Sequence, residues 1–206
     1  MNLLEKTKTY LVGHMQYADG KDWRDYVEAE LEPLNVTVFN PYKKPFVKDV
    51  EEDDAARQRM SDDMDRGYYN DVVERMTQVR SYDLNLVDRS DFIIAHLLPD
   101  VASWGSAEEL VTAVRMKKPI FISMEGGKAK TPLWIMGMIP HNYIYDSIEE
   151  IMEMITYFKV RASPLHFSPG AIPNAIRTLP HSPTPLNLEP VTVIVPSRLR
   201  GMTPRT

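Results

Sequence analysis

Two adjacent carboxylates, Glu108 and Glu109, follow the small polar residues Ser103, Gly105 and Ser106 in the segment DFIIAHLLPDVASWGSAEELVTAVRMKKPIFISM, residues 91–124. DFIIAHL is aliphatic and β-branched, as a strand buried in a parallel sheet is. GSAEELVTAVRMKK places Leu110, Val111, Ala113 and Val114 at helical spacing, and basic residues close its last turn. PIFISM is a second apolar run, so the segment reads as one βαβ unit. Ligands of open α/β sheets bind beyond the carboxyl ends of the strands, which is where Ser103 to Glu109 fall. A carboxylate is ionised at neutral pH and can act there as a nucleophile or stabilise a developing cation.

Other elements must position these groups. TKTYLVG reads as a first strand ending at Gly13, and KDWRDYVEAELEPL as a helix with Trp23, Tyr26, Val27, Glu30 and Leu31 at helical spacing, stopped at Pro33. NVTVFNP is a second strand. Residues 42–66 are highly charged, with Glu51, Glu52, Asp53 and Asp54 in a row and no clear apolar face. They read as a solvated insertion with a short helix, or as a lid over a site. A helix from about Gly67 to Arg80, striped by Tyr69, Val72, Val73, Met76 and Val79, leads through SYDLNLVDRSD into the DFIIAHL strand. Asp83 then lies just before that strand.

Beyond PIFISM come a turn at Gly126 and Gly127, the basic residues Lys128 and Lys130, an apolar helix TPLWIMGMI, a short strand NYIYD and a final helix SIEEIMEMITYF. Strands alternating with helices predict a flavodoxin-like, doubly wound five-stranded parallel sheet over residues 1–158. Residues 159–206 hold most of the 16 prolines, which forbid long helices and central strands. A Pro-rich extended C-terminal tail is expected. Its apolar groups, Leu165 to Phe167 and Val191 to Val195, suit a segment that wraps its own body or a neighbouring subunit.

At 206 residues the chain can bury one sizeable core. A formal net charge of −5 argues against direct nucleic-acid binding, which needs clustered Lys and Arg. There is no Cys, hence no disulfide framework, and the five His lack metal-ligand spacing. No run approaches the roughly 20 apolar residues that span a bilayer. The expectation is a cytoplasmic protein with no membrane partner, no metal and no cofactor.

Taken together, the opening YLVG strand, Asp83 before the DFIIA strand, and Gly105, Ser106, Glu109, Leu110 and Ala113 with Lys118 and Pro119 behind them resemble the nucleoside 2-deoxyribosyltransferase superfamily. That superfamily includes a branch of N-glycosidases acting on nucleoside 5′-monophosphates. The resemblance spans roughly residues 8–158 and rests on the order and spacing of these pieces. It implies that Glu109, four residues after Gly105, is the nucleophile that attacks the anomeric carbon. A glycosyl-enzyme ester then forms, and two displacements retain configuration. By the same resemblance, Tyr10 holds the nucleophile, and Asp83 contacts a sugar hydroxyl or orients Glu109. Gly13, His14, Gly105 and Ser106 belong to the substrate-binding set. Alternatively, Glu108 and Glu109 simply complement the helix dipole as acids of the first turn, and Asp91 reads as structural.

Three positions depart from the transferase pattern. Ser103 stands six residues before Glu109, where transferases carry an Asp that protonates the departing base. The monophosphate hydrolases have Ser there, holding the 5′-phosphate. Asp100 could supply the missing acid if the preceding loop bulges. Trp134 occupies the place of a second Ser of the hydrolase branch, and His14 replaces a small residue. Trp134, Met136 and Met138 read as core residues of an apolar helix; alternatively, since in the family this helix reaches into the site, often that of a neighbouring subunit, Trp134 stacks on a substrate base and Met136 belongs to the binding set. The resemblance therefore implies hydrolysis of a (deoxy)nucleoside 5′-monophosphate. Base exchange between deoxynucleosides and non-catalytic nucleotide binding are the alternatives. The partners implied are a small-molecule nucleoside or nucleotide and further copies of the chain, in a homo-oligomer with shared sites.

Overall fold

In the computed structural model, five strands form one all-parallel sheet in the order β2-β1-β3-β4-β5. The strands are β1 (Lys8–Gly13), β2 (Thr37–Phe39), β3 (Phe92–Leu97), β4 (Ile120–Met124) and β5 (Ile144–Tyr145). The helices are α1 (Asp19–Leu31), α2 (Asp54–Asp65), α3 (Tyr69–Arg89), α4 (Trp104–Arg115), α5 (Leu133–Met138) and α6 (Ile148–Arg161). The structure describes residues 2, 4–15, 19–43, 54–101 and 103–161, which all belong to one compact unit. The second unit, residues 166–206, lies outside the described residues, and so does the extended tail expected for 159–206 from residue 162 onwards.

The alternation of side chains along each strand sorts the core into two layers. Tyr10, Val12, Ile93, Ala95, Ile122 and Met124 face one side, where Leu86 and Val87 of α3 and Leu110 and Ala113 of α4 cover them. Leu11, Phe92 and Ile94 face the other, packed against Trp23, Val27 and Leu31 of α1 and against Ile148, Ile151, Met152 and Ile155 of α6. Both faces are buried, so β3 reads as a continuous apolar run. Tyr10 pairs in register with Ile93, Ile94 with Phe121, and Ile122 with Ile144. Each fully buried isoleucine contributes roughly 2 kcal/mol by removal of apolar surface from water. The strand order is that of a flavodoxin-like doubly wound sheet.

Three elements differ from the sequence expectation. The helix expected to end at Arg80 continues to Arg89. No Gly or Pro interrupts SYDLNLVDR, and Val79, Asp83, Leu86 and Val87 repeat at helical spacing and are buried. Asp83 is therefore a helix residue and not part of a loop. The first half of the same helix is less buried than its stripe suggested, with Tyr69, Val73 and Met76 exposed. In the charged insertion, α2 does have an apolar side, because Ala56 and Met60, four apart, are both buried; residues 44–53 lie outside the described residues. Finally, the TPLWIMGMI segment is core on one side only: Ile135, Met138 and the buried Ile139 pack against the sheet, whereas Leu133, Trp134 and Met136 are exposed, Trp134 by 80%.

Candidate active site

The two strands that carry the sequence-predicted groups, β1 and β3, are neighbours, yet the helices that follow them cover opposite faces of the sheet. A crevice must open between their carboxyl ends, at the switch point where such folds bind ligands. A cavity of about 460 Å³ lies there. Tyr10, Gly13 and His14 line it from β1 and the turn after it, Asp83 from α3, and Ser103, Gly105, Ser106, Glu108 and Glu109 from the start of α4.

Tyr10 is almost fully buried on the α4 side of the sheet, which fixes its ring, and its hydroxyl donates to Glu109 Oε1 at 2.8 Å. The contact joins residues 99 apart in sequence. Replacing Tyr10 by phenylalanine removes this donor while keeping the ring in the core. Stability is expected to fall by about 1 kcal/mol, read from thermal melts.

Ser103 is the N-cap of α4. Its backbone is extended, its Oγ accepts from the Ser106 N–H at 3.3 Å, and its hydroxyl donates to Ser106 Oγ at 3.0 Å. Because the helix begins at Trp104, Glu108 and Glu109 stand in the second turn and not the first, where the helix dipole is felt most. Gly105 and Glu109 are four apart and share a face. A methyl group on Gly105 would meet nothing within 4 Å, so the protein's own packing does not demand glycine there.

Glu108 turns to α3. Arg80 grips its carboxylate with both prongs, Nε donating to Oε2 at 2.7 Å and Nη2 donating to Oε1. This hydrogen bonding with Arg80 holds the Glu108 carboxyl below its ordinary range and raises the Arg80 guanidinium in turn. Asp83 lies three residues beyond Arg80, so the two project from neighbouring positions of α3 into the same cavity.

The turn after β1 is held from below. Arg24, fully buried, donates through Nη1 to the carbonyls of His14, at 3.0 Å, and Gly20, and through Nη2 to that of Gly13 at 3.0 Å. Its guanidinium lies 4.4 Å from the Trp23 ring and 5.3 Å from that of Tyr42, within cation–π range. Gly13 admits no larger residue: a Cβ would stand 2.7 Å from the His96 carbonyl oxygen and 3.0 Å from the Trp23 ring. His14 is buried beneath this turn and reaches the cavity. Asp91 accepts from the Lys8 N–H at 2.7 Å and ties the starts of β1 and β3 together, a structural role.

Three sequence-predicted residues are not in this cavity. Asp100 and Trp134 line a second one of about 380 Å³ between the β3–α4 loop and α5, which shares only Ser103 and Ser106 with the first; Met136 lines neither. Sequence reasoning missed Arg57, Met76, Arg80 and Trp104, which do line the first cavity. Arg24 was missed as well, although a signal for it existed: it sits three residues before Val27 and seven before Leu31, on the buried stripe of α1. Arg57 had no such signal inside a charged run. Among the described residues, no cluster of His, Cys, Asp or Glu could hold a metal ion, and no helix is long and apolar enough to cross a membrane.

No family model matches the chain, and no curated protein matches it in sequence. Among solved structures it is similar to a 2-deoxyribosyltransferase from Bacillus psychrosaccharolyticus, at 18% identity and a TM-score of 0.50, over 71% of this chain and 90% of that one. The likeness is one of fold. A CMP N-glycosidase from Clostridium botulinum, BcmB, is similar at 16% identity and a TM-score of 0.43, over 73% of this chain and 99% of that one.

Proposed function

We propose that the chain is an enzyme that cleaves the N-glycosidic bond of a nucleoside 5′-monophosphate, ribo- or deoxyribo-, with Glu109 as nucleophile and water as acceptor. The observation that carries this reading is the Tyr10–Glu109 hydrogen bond inside a cavity at the switch point that Asp83 also lines. A Glu109 oxygen attacks C1′, and the C1′–N bond breaks. The base leaves with the bonding pair and takes up a proton. Water then attacks C1′, loses a proton and releases the Glu109 carboxylate, so configuration is retained. Asp83 is placed to bind a sugar hydroxyl or orient the nucleophile.

Ser103 and Ser106, with their hydroxyls at the N-terminus of α4, suit a 5′-phosphate, since helix N-termini favour anions. Asp100, the residue that would protonate a base in a transferase, lines the other cavity. That position favours hydrolysis over base exchange. The Bacillus relative's deoxyribosyl transfer would share the covalent half-reaction, so one assay separates the two. A panel of nucleoside 5′-monophosphates is incubated with the protein, with and without a second base. Free base and sugar phosphate are expected without any acceptor. Base released only when an acceptor is added would establish transfer instead, and nucleotide binding without turnover would leave a non-catalytic protein.

We propose also that the working form is a homo-oligomer. Trp104, 88% exposed, and Met76, 42% exposed, both line the mouth of the cavity, where a second copy would cover them. Sedimentation equilibrium is expected to give a dimer or larger species; a monomer at all concentrations would defeat this part of the reading.

A further inference from the structure

The cavity places two carboxylates side by side on α4, and only one of them is needed to attack a sugar. Adjacent carboxylates repel, and each makes ionisation of the other harder. An uncompensated Glu108 would hinder the charged state of Glu109 and repel a phosphorylated substrate. We infer that Arg80 is a positioning residue for the reaction: by clamping Glu108 from α3, it cancels that carboxylate's charge beside the nucleophile. This inference rests on the assignment of Glu109 as nucleophile.

Geometry carries it. The grip is two-pronged, which fixes the guanidinium plane against the carboxylate. It spans α3 and α4, so it also sets the distance between Asp83 on one helix and Glu109 on the other. The pair is partly exposed, and a lone surface ion pair of this kind contributes little to stability. A purely structural role therefore explains it poorly. The charged and titratable groups that line the cavity around Glu109 are Tyr10 from β1, His14 from the turn after it, Arg57 from α2, Arg80 and Asp83 from α3, and Glu108 on its own helix. Within this set, Glu108 is the carboxylate nearest to Glu109 in the chain, and Arg80 is the cation bound to it.

The two halves of the clamp carry opposite charges, and that gives a test a structural brace would not pass. Arg80→Met exposes the charge of Glu108, so the Glu109 carboxyl is expected to titrate at higher pH. Glu108→Gln leaves the charge of Arg80, so Glu109 is expected to titrate at lower pH. The double variant Arg80→Met with Glu108→Gln returns the titration toward that of the wild type. The midpoint is read by NMR on protein labelled at the glutamate carboxyl carbons, with Glu109 assigned by its loss in Glu109→Gln. In the nucleotide assay, Arg80→Met is expected to lower turnover about tenfold at neutral pH and to move the acid limb of the rate profile upward, with most of the loss recovered in the double variant.

Shifts of the same sign in the two single variants, or no shift in Arg80→Met, would overturn the inference. So would failure of the double variant to restore the midpoint. The NMR titration does not depend on turnover. Inactive wild-type protein would sink the glycosidase reading, while the titrations would still decide whether Arg80 sets the charge environment of Glu109.

Discussion

Glu109→Gln is expected to slow release of base from a nucleoside 5′-monophosphate by about a thousandfold or more, with little change in stability. The amide keeps the size of the side chain, and its oxygen can still accept from the Tyr10 hydroxyl, so the 2.8 Å contact across the cavity has a substitute. What is lost is the negative charge and the nucleophilic oxygen. No other lining group replaces them readily: Glu108 is held by Arg80, and Asp83 projects from a different helix. Loss of a nucleophile removes an interaction made only along the reaction path, so the effect should fall on kcat and not on substrate affinity. Thermal melts and a binding titration with nucleotide are expected to match the wild type. A variant that keeps more than a tenth of the activity would mean that Glu109 does not form the covalent bond.

The second large effect concerns the floor of the site. Arg24→Met is expected to destabilise the fold by about 3 kcal/mol, since burying main-chain carbonyls without partners costs roughly 1–3 kcal/mol each and relaxation recovers part of it. For a domain of this size that corresponds to a melting point lower by roughly 10 °C. The carbonyls concerned belong to Gly13, His14 and Gly20, and the turn carrying the first two forms one wall of the cavity. Substrate affinity should fall together with stability. Lysine in place of Arg24 is expected to rescue only part of the loss, because an ammonium group cannot match the planar fork that reaches several carbonyls while lying between two aromatic rings. Calorimetry on both variants, with a nucleotide binding titration at a temperature where each is folded, checks the two effects separately. A melting point within 2 °C of the wild type for Arg24→Met would contradict this role.

Much of the fold could be read from the chain, because the strands of a parallel sheet covered on both faces are apolar throughout and stand out against charged surroundings. DFIIAHL and PIFISM became β3 and β4 for that reason. The turn between them was legible in part: Gly105 and Glu109 fall on one face of the helix, but Ser103 is its N-cap and the two acids stand beyond its first turn. Three things were not legible. The extent of α3 was obscured because its first half is apolar yet exposed, and its second half, which carries Asp83, mixes buried and charged residues. The helix LWIMGM looked like core from its composition, but only Ile135 and Met138 pack on the sheet while Leu133, Trp134 and Met136 are exposed, and which apolar side chains of a short helix face inward depends on how it docks. Arg80 and Glu108 are 28 residues apart and come together only when α3 packs on α4. Pairing of that kind is a property of tertiary packing, and no local pattern announces it.

The side-by-side placement of Glu108 and Glu109 shows how packing assigns roles that residue type leaves open. The two are chemically identical and adjacent in sequence. Roughly 100° of rotation between neighbouring helix positions sends one toward Arg80 and the other toward Tyr10. The first is neutralised by an ion pair. The second meets the Tyr10 hydroxyl in the cavity that Asp83 also lines, where we propose that it acts as the nucleophile.

The covalent step can be tested directly. Wild-type protein is incubated with a nucleoside 5′-monophosphate bearing 2′-fluorine, which slows attack of water on the glycosyl ester by destabilising the cationic transition state. The intact protein is then weighed, and the modified peptide is sequenced by mass spectrometry. A mass increase equal to one fluorinated sugar phosphate, located on Glu109 and absent from Glu109→Gln, is the expected result. Turnover of the natural nucleotide with no adduct on Glu109, or with an adduct on another residue, would contradict the assignment of Glu109 as the nucleophile.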